Sequence, residues 1–394
     1  MAMRMSQAAT IMFGVGSLSV LGDELKMRGL KKPIIVTDKG VTGAGVTAKV
    51  EAALKESALD CAVWDGCLSD APTDSVDVAA AAIRDAKADC IVALGGGSSM
   101  DTAKAASIIL KSNKSIVDVM PPPPSPNDPP GPPPPPAAPD VPIFTVPTTS
   151  GTGSEVTTVA VLVDSRNSKK SGVMITGATL AIIDPTLTMG VPANLTAMTG
   201  MDVVAHAVEA ITGVMRNPLS DLRGYEALSL VNSHLYDAVK DGSNITAREG
   251  MSFASTLAGM SFNDSITTLG HAISQALSPA VHLHHGLLCG LATPPQIEIF
   301  APAVPERIRK IGEIFGADIP YDASEEEIGL ITAEKIRTFM SMLGIQSFEQ
   351  MGISREVVVG QVDALMEEMM IELCPCPITR DVALRALNRM CDYK

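Results

Sequence analysis

Long hydrophobic runs are missing from this sequence. Nowhere do about 20 consecutive apolar residues occur, which argues against a membrane-spanning helix. The first residues lack the basic start, apolar run and small-residue cleavage site of a signal peptide, so a soluble, intracellular, cytoplasmic chain is expected. Basic residues are short as well. Lys and Arg number 30 against 44 Asp and Glu, a net charge of −14, without the clustered cations that nucleic-acid phosphates require. Aromatics make up 3% of residues, so the core must be built from Ala, Val, Leu, Ile and many of the 21 methionines. The seven cysteines (Cys61, Cys67, Cys90, Cys289, Cys374, Cys376 and Cys391) are odd in number and scattered, which fits reduced thiols rather than a disulfide framework. Cys374-Pro-Cys376 has poor geometry for a metal or redox pair and reads as half-buried thiols.

What is present divides into two textures. A chain of 394 residues is long enough for about two domains. In the first half, short apolar runs at Pro33–Thr37, Cys61–Trp64, Cys90–Leu94 and Ile143–Val146 carry β-branched residues. The first three are separated by Ala-rich amphipathic stretches such as Val46–Ser57 and Val76–Ala88. That alternation predicts a parallel sheet covered on both faces. Further strand-like pieces follow at Val156–Val163 and Leu180–Ile183. Beyond about Leu195 the 3.6-residue period dominates, at Leu219–Lys240, Ala247–Phe262, Pro305–Phe315, Ser324–Leu343 and Arg355–Met370, which predicts an all-helical second domain. The expected domains are residues 1–190 and 191–394. Pro121–Pro142 fits neither. Its fourteen prolines predict an extended polyproline-like surface loop.

Two polar loops follow predicted strands. Cys90–Leu94 runs into Gly95, Gly96, Gly97, Ser98 and Ser99, and a helix start follows at Met100-Asp101-Thr102. Glycines let a phosphate approach the backbone, and a helix N-terminus offers free N–H groups and a favourable dipole. A tight structural turn has the same composition, and the spacing is neither G-x-G-x-x-G nor a P-loop. The second loop, Pro147–Ser154, sets Thr148, Thr149 and Thr152 beside Gly151 and Gly153. Two such loops at one sheet edge would bracket a dinucleotide. Asp38, directly after a strand, is placed to accept from an adenosine ribose and to repel a 2′-phosphate, favouring NAD over NADP; an N-cap aspartate is the other reading.

Six histidines occur: His206, His234, His271, His282, His284 and His285. Asp202 and His206 lie one turn apart on a helical pattern, so they share a face. With His271 and His285 on further segments they make a mixed N/O set suited to Fe²⁺ or Zn²⁺. An aspartate one turn before a histidine is also an ordinary surface pair, and His282–His285 also reads as a solvent-facing turn.

The chain resembles the iron-containing, or group III, alcohol dehydrogenases. The matching blocks are Gly95–Lys104, Pro147–Thr157, Asp184–Thr188, Thr199–Glu209 and Gly270-His271 through His285-Gly286, spread over nearly the whole length. The resemblance implies a Rossmann-like dinucleotide-binding α/β domain and an all-α C-terminal metal-binding domain, similar to dehydroquinate synthase, with the active site between them. It implies one divalent metal, usually iron and in some relatives zinc, held by Asp202, His206, His271 and His285; His285 is preferred because the family ligand directly precedes a glycine. It assigns Asp38, the Gly95–Ser99 turn with Asp101, and the Thr148–Thr152 region to the cofactor, and it implies a homo-oligomer. One departure concerns catalysis. Where many relatives carry a second histidine four residues after the third ligand, this chain has Gln275, which hydrogen-bonds but exchanges no proton near neutrality.

The expected chemistry is hydride transfer between NAD and a small alcohol or aldehyde, with the metal acting on the substrate oxygen. A reductase of a small anionic aldehyde or oxoacid, or a polyol dehydrogenase, is the alternative within the family. Arg216 is the only basic residue near the ligand blocks to favour an anion. A carbon–oxygen lyase would need a basic phosphate pocket that these blocks lack, and a nucleotide sensor would not need four metal ligands. Lys104, Lys169 and Lys170 read as solvated lysines.

Overall fold

The structure, a computed structural model, describes residues 7–112, 114–120 and 135–394. It forms two compact units. One comprises Gln7–Thr149 and Ser154–Gly190, and the other contains Val191–Lys394 together with the short segment Ser150–Gly153.

The first unit holds β1 (Thr10–Phe13), β2 (Pro33–Val36), β3 (Ala62–Trp64), β4 (Cys90–Gly95), β5 (Ile143–Pro147), β6 (Val159–Val163), β7 (Lys170–Met174) and β8 (Leu180–Ile183). Six of them make a parallel sheet in the order β1-β8-β5-β4-β2-β3. Its helices are α1 (Leu21–Met27), α2 (Lys39–Gly43), α3 (Val46–Glu56), α4 (Thr73–Asp85) and α5 (Gly97–Ser107). Because both sheet faces are covered, β2, β4, β5 and β8 are buried along their whole length. Alternate residues divide between two cores. Ile34, Val36, Ile91 and Ala93 pack with residues of α4 and α5, whereas Ile35, Cys90, Val92 and Leu94 pack with α1 and α3. The neighbours β2 and β4 therefore send their following helices to opposite faces. That is a topological switch point, where parallel sheets bind ligands.

One expectation changes here. The strand-like run from Val156 begins only at Val159, after a 3₁₀ turn over Ser154–Val156, and β6 pairs antiparallel with β7 outside the main sheet. The polyproline-like reading of residues 121–134 falls outside the described residues. The tail of that segment is pinned: Ala137 N–H donates to the Met174 carbonyl at 2.9 Å and Asp140 N–H to that of Ser107 at 2.8 Å.

The second unit contains α6 (Ala193–Thr212), α7 (Pro218–Lys240), α8 (Ile245–Ser265), α9 (Leu269–Val281), α10 (His285–Phe300), α11 (Pro305–Ile314), α12 (Glu325–Met342), α13 (Arg355–Val359), α14 (Val362–Met366) and α15 (Arg380–Met390). Helix α6 is its centre, buried at nearly every residue from Thr196 to Thr212. The run Arg355–Met370, expected as one helix, breaks at Gly360-Gln361 into α13 and α14, consistent with the low helix propensity of glycine. Conversely, α10 continues through Pro294-Pro295 to Phe300. Tandem prolines remove helical donors, but burial of that stretch holds it in register. Among the described residues no helix is long and apolar enough to cross a membrane.

Candidate metal centre and dinucleotide site

Asp202, His206 and Glu209 form one stripe on α6, at spacings of four and three residues, so they emerge from the same face. All three are buried. Two carboxylates taken out of water on one apolar helix are costly unless something positive meets them. Phe262 of α8 stacks on the His206 ring with centroids 4.2 Å apart, which fixes its plane.

Helix α9 supplies His271. Its Nδ1 lies 2.8 Å from Glu209 Oε1, and Glu209 also accepts the backbone N–H of Thr268 and, at 3.4 Å, of His271. An Nδ1–H given to Glu209 leaves the Nε2 lone pair of His271 turned towards Asp202 and His206. This carboxylate–imidazole pairing is the usual support of a metal-ligating histidine. Glu209 was not anticipated, although its place three residues beyond His206 on the same helical face was a readable signal. The approach needs Gly270, since a Cβ there would lie 2.5 Å from Glu209 Oε1.

The three clustered histidines have three different places. His282, with φ +51°, ends α9 in the left-handed conformation. His284 caps α10, its Nδ1 accepting from Gly286 N–H at 3.2 Å. His285 opens α10 with Nδ1 2.9 Å from the Ser274 hydroxyl, leaving Nε2 3.9 Å from Asp202 Oδ1. Gly286 explains the His-Gly pair physically: a Cβ at 286 would meet the Met198 carbonyl at 2.4 Å and Asp202 Cβ at 3.0 Å. Only glycine lets α10 sit this close to α6. Gly286→Ala is expected to cost about 1–3 kcal/mol by overpacking, seen as a lower thermal unfolding midpoint. An unchanged midpoint would contradict the close approach.

The electrostatics hold Asp202 and His206 in the forms that bind a cation. Burial works against charge on Asp202, yet His206, His285 and His271 outweigh it and hold the carboxyl down to about 2. Burial pushes His206 down to about 4, so its ring is neutral at pH 7. His271 goes the other way: despite burial, Cys289 and Glu209 raise it well above the ordinary imidazole range. His206 Nε2 and His271 Nε2 face each other at 3.0 Å, and His271 Nε2 lies 3.8 Å from Asp202 Oδ1. Asp202 Oδ1 itself is buried without a hydrogen-bond partner. Donors bound to one tetrahedral cation at about 2.0–2.3 Å stand roughly 3.3–3.8 Å apart. The residues present fit a divalent ion. One donor atom from each of Asp202, His271, His285 and Cys289 lies within 4.8 Å of the others, and His206 joins through His271. Cys289, one turn after His285 on α10, was not anticipated. Gln275 stands one turn after His271, half-buried.

In the α/β unit, Asp38 and Gly95–Ser99 flank the switch point. Asp38 Oδ1 caps α2 by accepting from Val41 N–H at 3.0 Å, while Oδ2 accepts from the Ser99 hydroxyl at 2.9 Å. Gly95 has φ +142°, and a Cβ there would lie 2.7 Å from Ser99 Oγ, so the turn requires glycine. Gly96 precedes α5 and Gly97 opens it, and the Ser98 hydroxyl accepts from Asp70 N–H at 3.0 Å. Thr148 N–H donates to the Gly95 carbonyl at 3.0 Å, and Thr149 Oγ1 would be 3.3 Å from a Gly96 Cβ, which ties the second loop to the first.

Asp101 takes a different part from that expected. Its carboxylate accepts from the Ser154 hydroxyl at 2.5 Å, from Lys104 Nζ at 3.4 Å and from Val161 N–H at 2.9 Å, so it braces the start of α5 instead of facing a ligand. Lys104 is not solvated either. It is fully buried, and burial lowers its pKa, with Nζ donating to Ser154, Thr157 and the Val159 carbonyl. Thr152 belongs to the segment Ser150–Gly153, which packs within the helical unit through Ser150 to Ser252 at 3.1 Å and Gly151 against Thr199.

Comparison with known proteins gives a consistent result. The profile of the iron-containing alcohol dehydrogenase family matches residues 8–185, and the profile of that family's C-terminal part matches residues 196–390. The sulfoacetaldehyde reductase of Bilophila wadsworthia is 33% identical over 310 residues, 78% of this chain and 77% of its own length. The NAD-dependent methanol dehydrogenase of Bacillus methanolicus is 33% identical over 350 residues, 87% of this chain and 88% of its own. The crystal structure of a sulfoacetaldehyde reductase from Bifidobacterium kashiwanohense in complex with NAD⁺ superimposes with a TM-score of 0.86 at 29% identity, covering 100% of both chains.

Proposed function

Because this chain belongs to the iron-containing alcohol dehydrogenase family, we propose that it is a metal-dependent, NAD-linked alcohol dehydrogenase and aldehyde reductase acting on a small alcohol or aldehyde. One observation carries the reading: a buried aspartate and three imidazoles from α6, α9 and α10 turn their donor atoms towards one another, with Asp202 Oδ1 left without a hydrogen bond.

Asp202, His206, His271 and His285 would hold the cation, Fe²⁺ in the first instance and Zn²⁺ as the alternative. Glu209 and Ser274 set the tautomer and plane of His271 and His285 by engaging each ring's Nδ1. When bound, the cation supplies Lewis acidity at the substrate oxygen and the nicotinamide supplies the hydride acceptor or donor. Asp38, Gly95, Gly96, Gly97, Ser98, Ser99, Thr148, Thr149 and Thr152 are assigned to the dinucleotide, with Asp101 supporting α5 from behind. The free N–H groups at the start of α5 meet its phosphates. The Asp38 carboxylate favours NAD by repelling a 2′-phosphate. Gln275 orients by hydrogen bonding and carries no proton, so the hydroxyl proton leaves through water or a ribose hydroxyl. The enzyme is proposed to act in the cytoplasm as a homo-oligomer, which light scattering of the purified protein tests.

An anionic aldehyde is the alternative substrate, since sulfoacetaldehyde reductases are among the relatives. Against it, Arg216 is already paired with Asp221 at 3.0 Å. The test is metal analysis combined with NADH absorbance on a panel of short alcohols and neutral and anionic aldehydes. NAD-linked activity that disappears on chelation and returns with Fe²⁺ or Zn²⁺ is expected. Full turnover by metal-free protein would overturn the reading. Gln275→His should introduce a titration near the ordinary imidazole pKa of about 6.5 into the pH dependence of kcat. A profile identical to that of the unaltered protein would mean that proton transfer does not limit the rate.

A further inference from the structure

Cys289 has a setting unlike that of Cys374 and Cys391, thiols of the same unit that each directly follow a helical turn. Cys374 and Cys391 each donate to the carbonyl four residues earlier, Met370 and Leu387, as a thiol with no other task does. For Cys289 the near groups are imidazoles, the His285 ring nitrogens with Nε2 at 3.6 Å and Nδ1 at 3.9 Å, and the His271 side chain. The 3.6 Å separation is an ordinary S···N hydrogen-bond length and also matches the spacing of two donors around one ion. The residue is fully buried. It stands one turn after His285 on α10, so both side chains leave the helix on the same face. Its Sγ belongs to the same 4.8 Å cluster as donor atoms of Asp202, His271 and His285. Asp202 Oδ1, buried and without a hydrogen-bond partner, is the independent sign that this cluster awaits a ligand.

We infer that Cys289 is a metal donor: its sulfur joins Asp202, His271 and His285 around the cation. This rests on the metal-dependent reading above and adds a soft ligand to an otherwise N/O site. The thiol proton passes to solvent base as the sulfur–metal bond forms, so the bound form is the thiolate. A thiolate shifts the preference towards Zn²⁺, Co²⁺ and other borderline or soft ions and away from Mg²⁺ or Mn²⁺.

The test is spectroscopic and needs no turnover. The full-length protein is stripped of metal and reloaded with Co²⁺, and bound cobalt per chain is counted. A near-ultraviolet thiolate-to-cobalt charge-transfer band is expected in the unaltered protein. It should vanish in Cys289→Ser while the visible d–d bands remain. X-ray absorption of the zinc-loaded, unaltered protein should show one sulfur at about 2.3 Å, a measurement that stands even if the variant fails to fold. One bound cobalt with no charge-transfer band, a band that survives Cys289→Ser, or a zinc shell of nitrogen and oxygen alone overturns the inference and leaves the metal-dependent reading intact. No bound cobalt at all overturns both.

Discussion

His271→Ala is expected to abolish turnover and empty the metal site while leaving NAD affinity largely unchanged. The reason is the density of roles at this one ring. His271 Nε2 faces both Asp202 and His206, and its Nδ1 is the group through which Glu209 acts. Removing it leaves Glu209 buried without its imidazole partner and takes away one of the donors nearest Asp202. Loss of the Lewis acid removes several kcal/mol of charge stabilisation, on the order of a thousandfold or more in kcat. Most of the dinucleotide candidates, Asp38, Gly95–Ser99, Thr148 and Thr149, belong to the α/β unit and His271 to the helical one, which is why binding of NAD should survive. Metal content, kcat and NADH-fluorescence titration on the same preparation check the three parts separately. Substantial turnover with a full complement of metal would reject His271 as a ligand.

Glu209→Leu should weaken metal binding by about 10–100-fold, the usual cost of removing the partner that orients a ligating imidazole. It should also destabilise the fold, because the Thr268 N–H loses a buried acceptor, a loss worth about 1–3 kcal/mol. Glu209→Gln separates the two effects. Its amide oxygen can still accept from His271 Nδ1, so affinity should lie between those of the leucine variant and the unaltered protein. Competition titration against a chromophoric chelator reads the affinity and thermal unfolding reads the fold. Leucine and glutamine variants with the affinity of the unaltered protein would remove Glu209 from any role at the metal.

Much of this was visible in the order of residues. Continuous β-branched runs such as Cys90–Leu94 announce strands buried on both faces, since a hydrophobic run without alternation leaves no face for water. The glycine turn was equally plain, because only glycine takes a φ of +142° with Ser99 pressed against it. Asp202 and His206 were legible as a pair because a helix repeats locally and carries i and i+4 to one face. By the same rule Glu209 and Cys289 were within reach, each following a candidate histidine at helical spacing. They were passed over because spacing states which face a side chain leaves from, without stating what that face meets.

Local periodicity alone thus determined the element types, the glycine-bearing turn after β4 and the residues sharing one side of α6. Packing between distant segments decided the rest. It turned His282 into a helix terminus, His284 into a cap and His285 towards Asp202, three fates for near-neighbours of one residue type. It also buried Lys104 and turned Asp101 inward, where sequence alone placed a solvated lysine and a ligand-facing acid. The physical reason is the range of the forces. Backbone geometry acts over a few residues, whereas the direction and charge of a polar side chain are set by whichever groups the fold brings within about 4 Å of it.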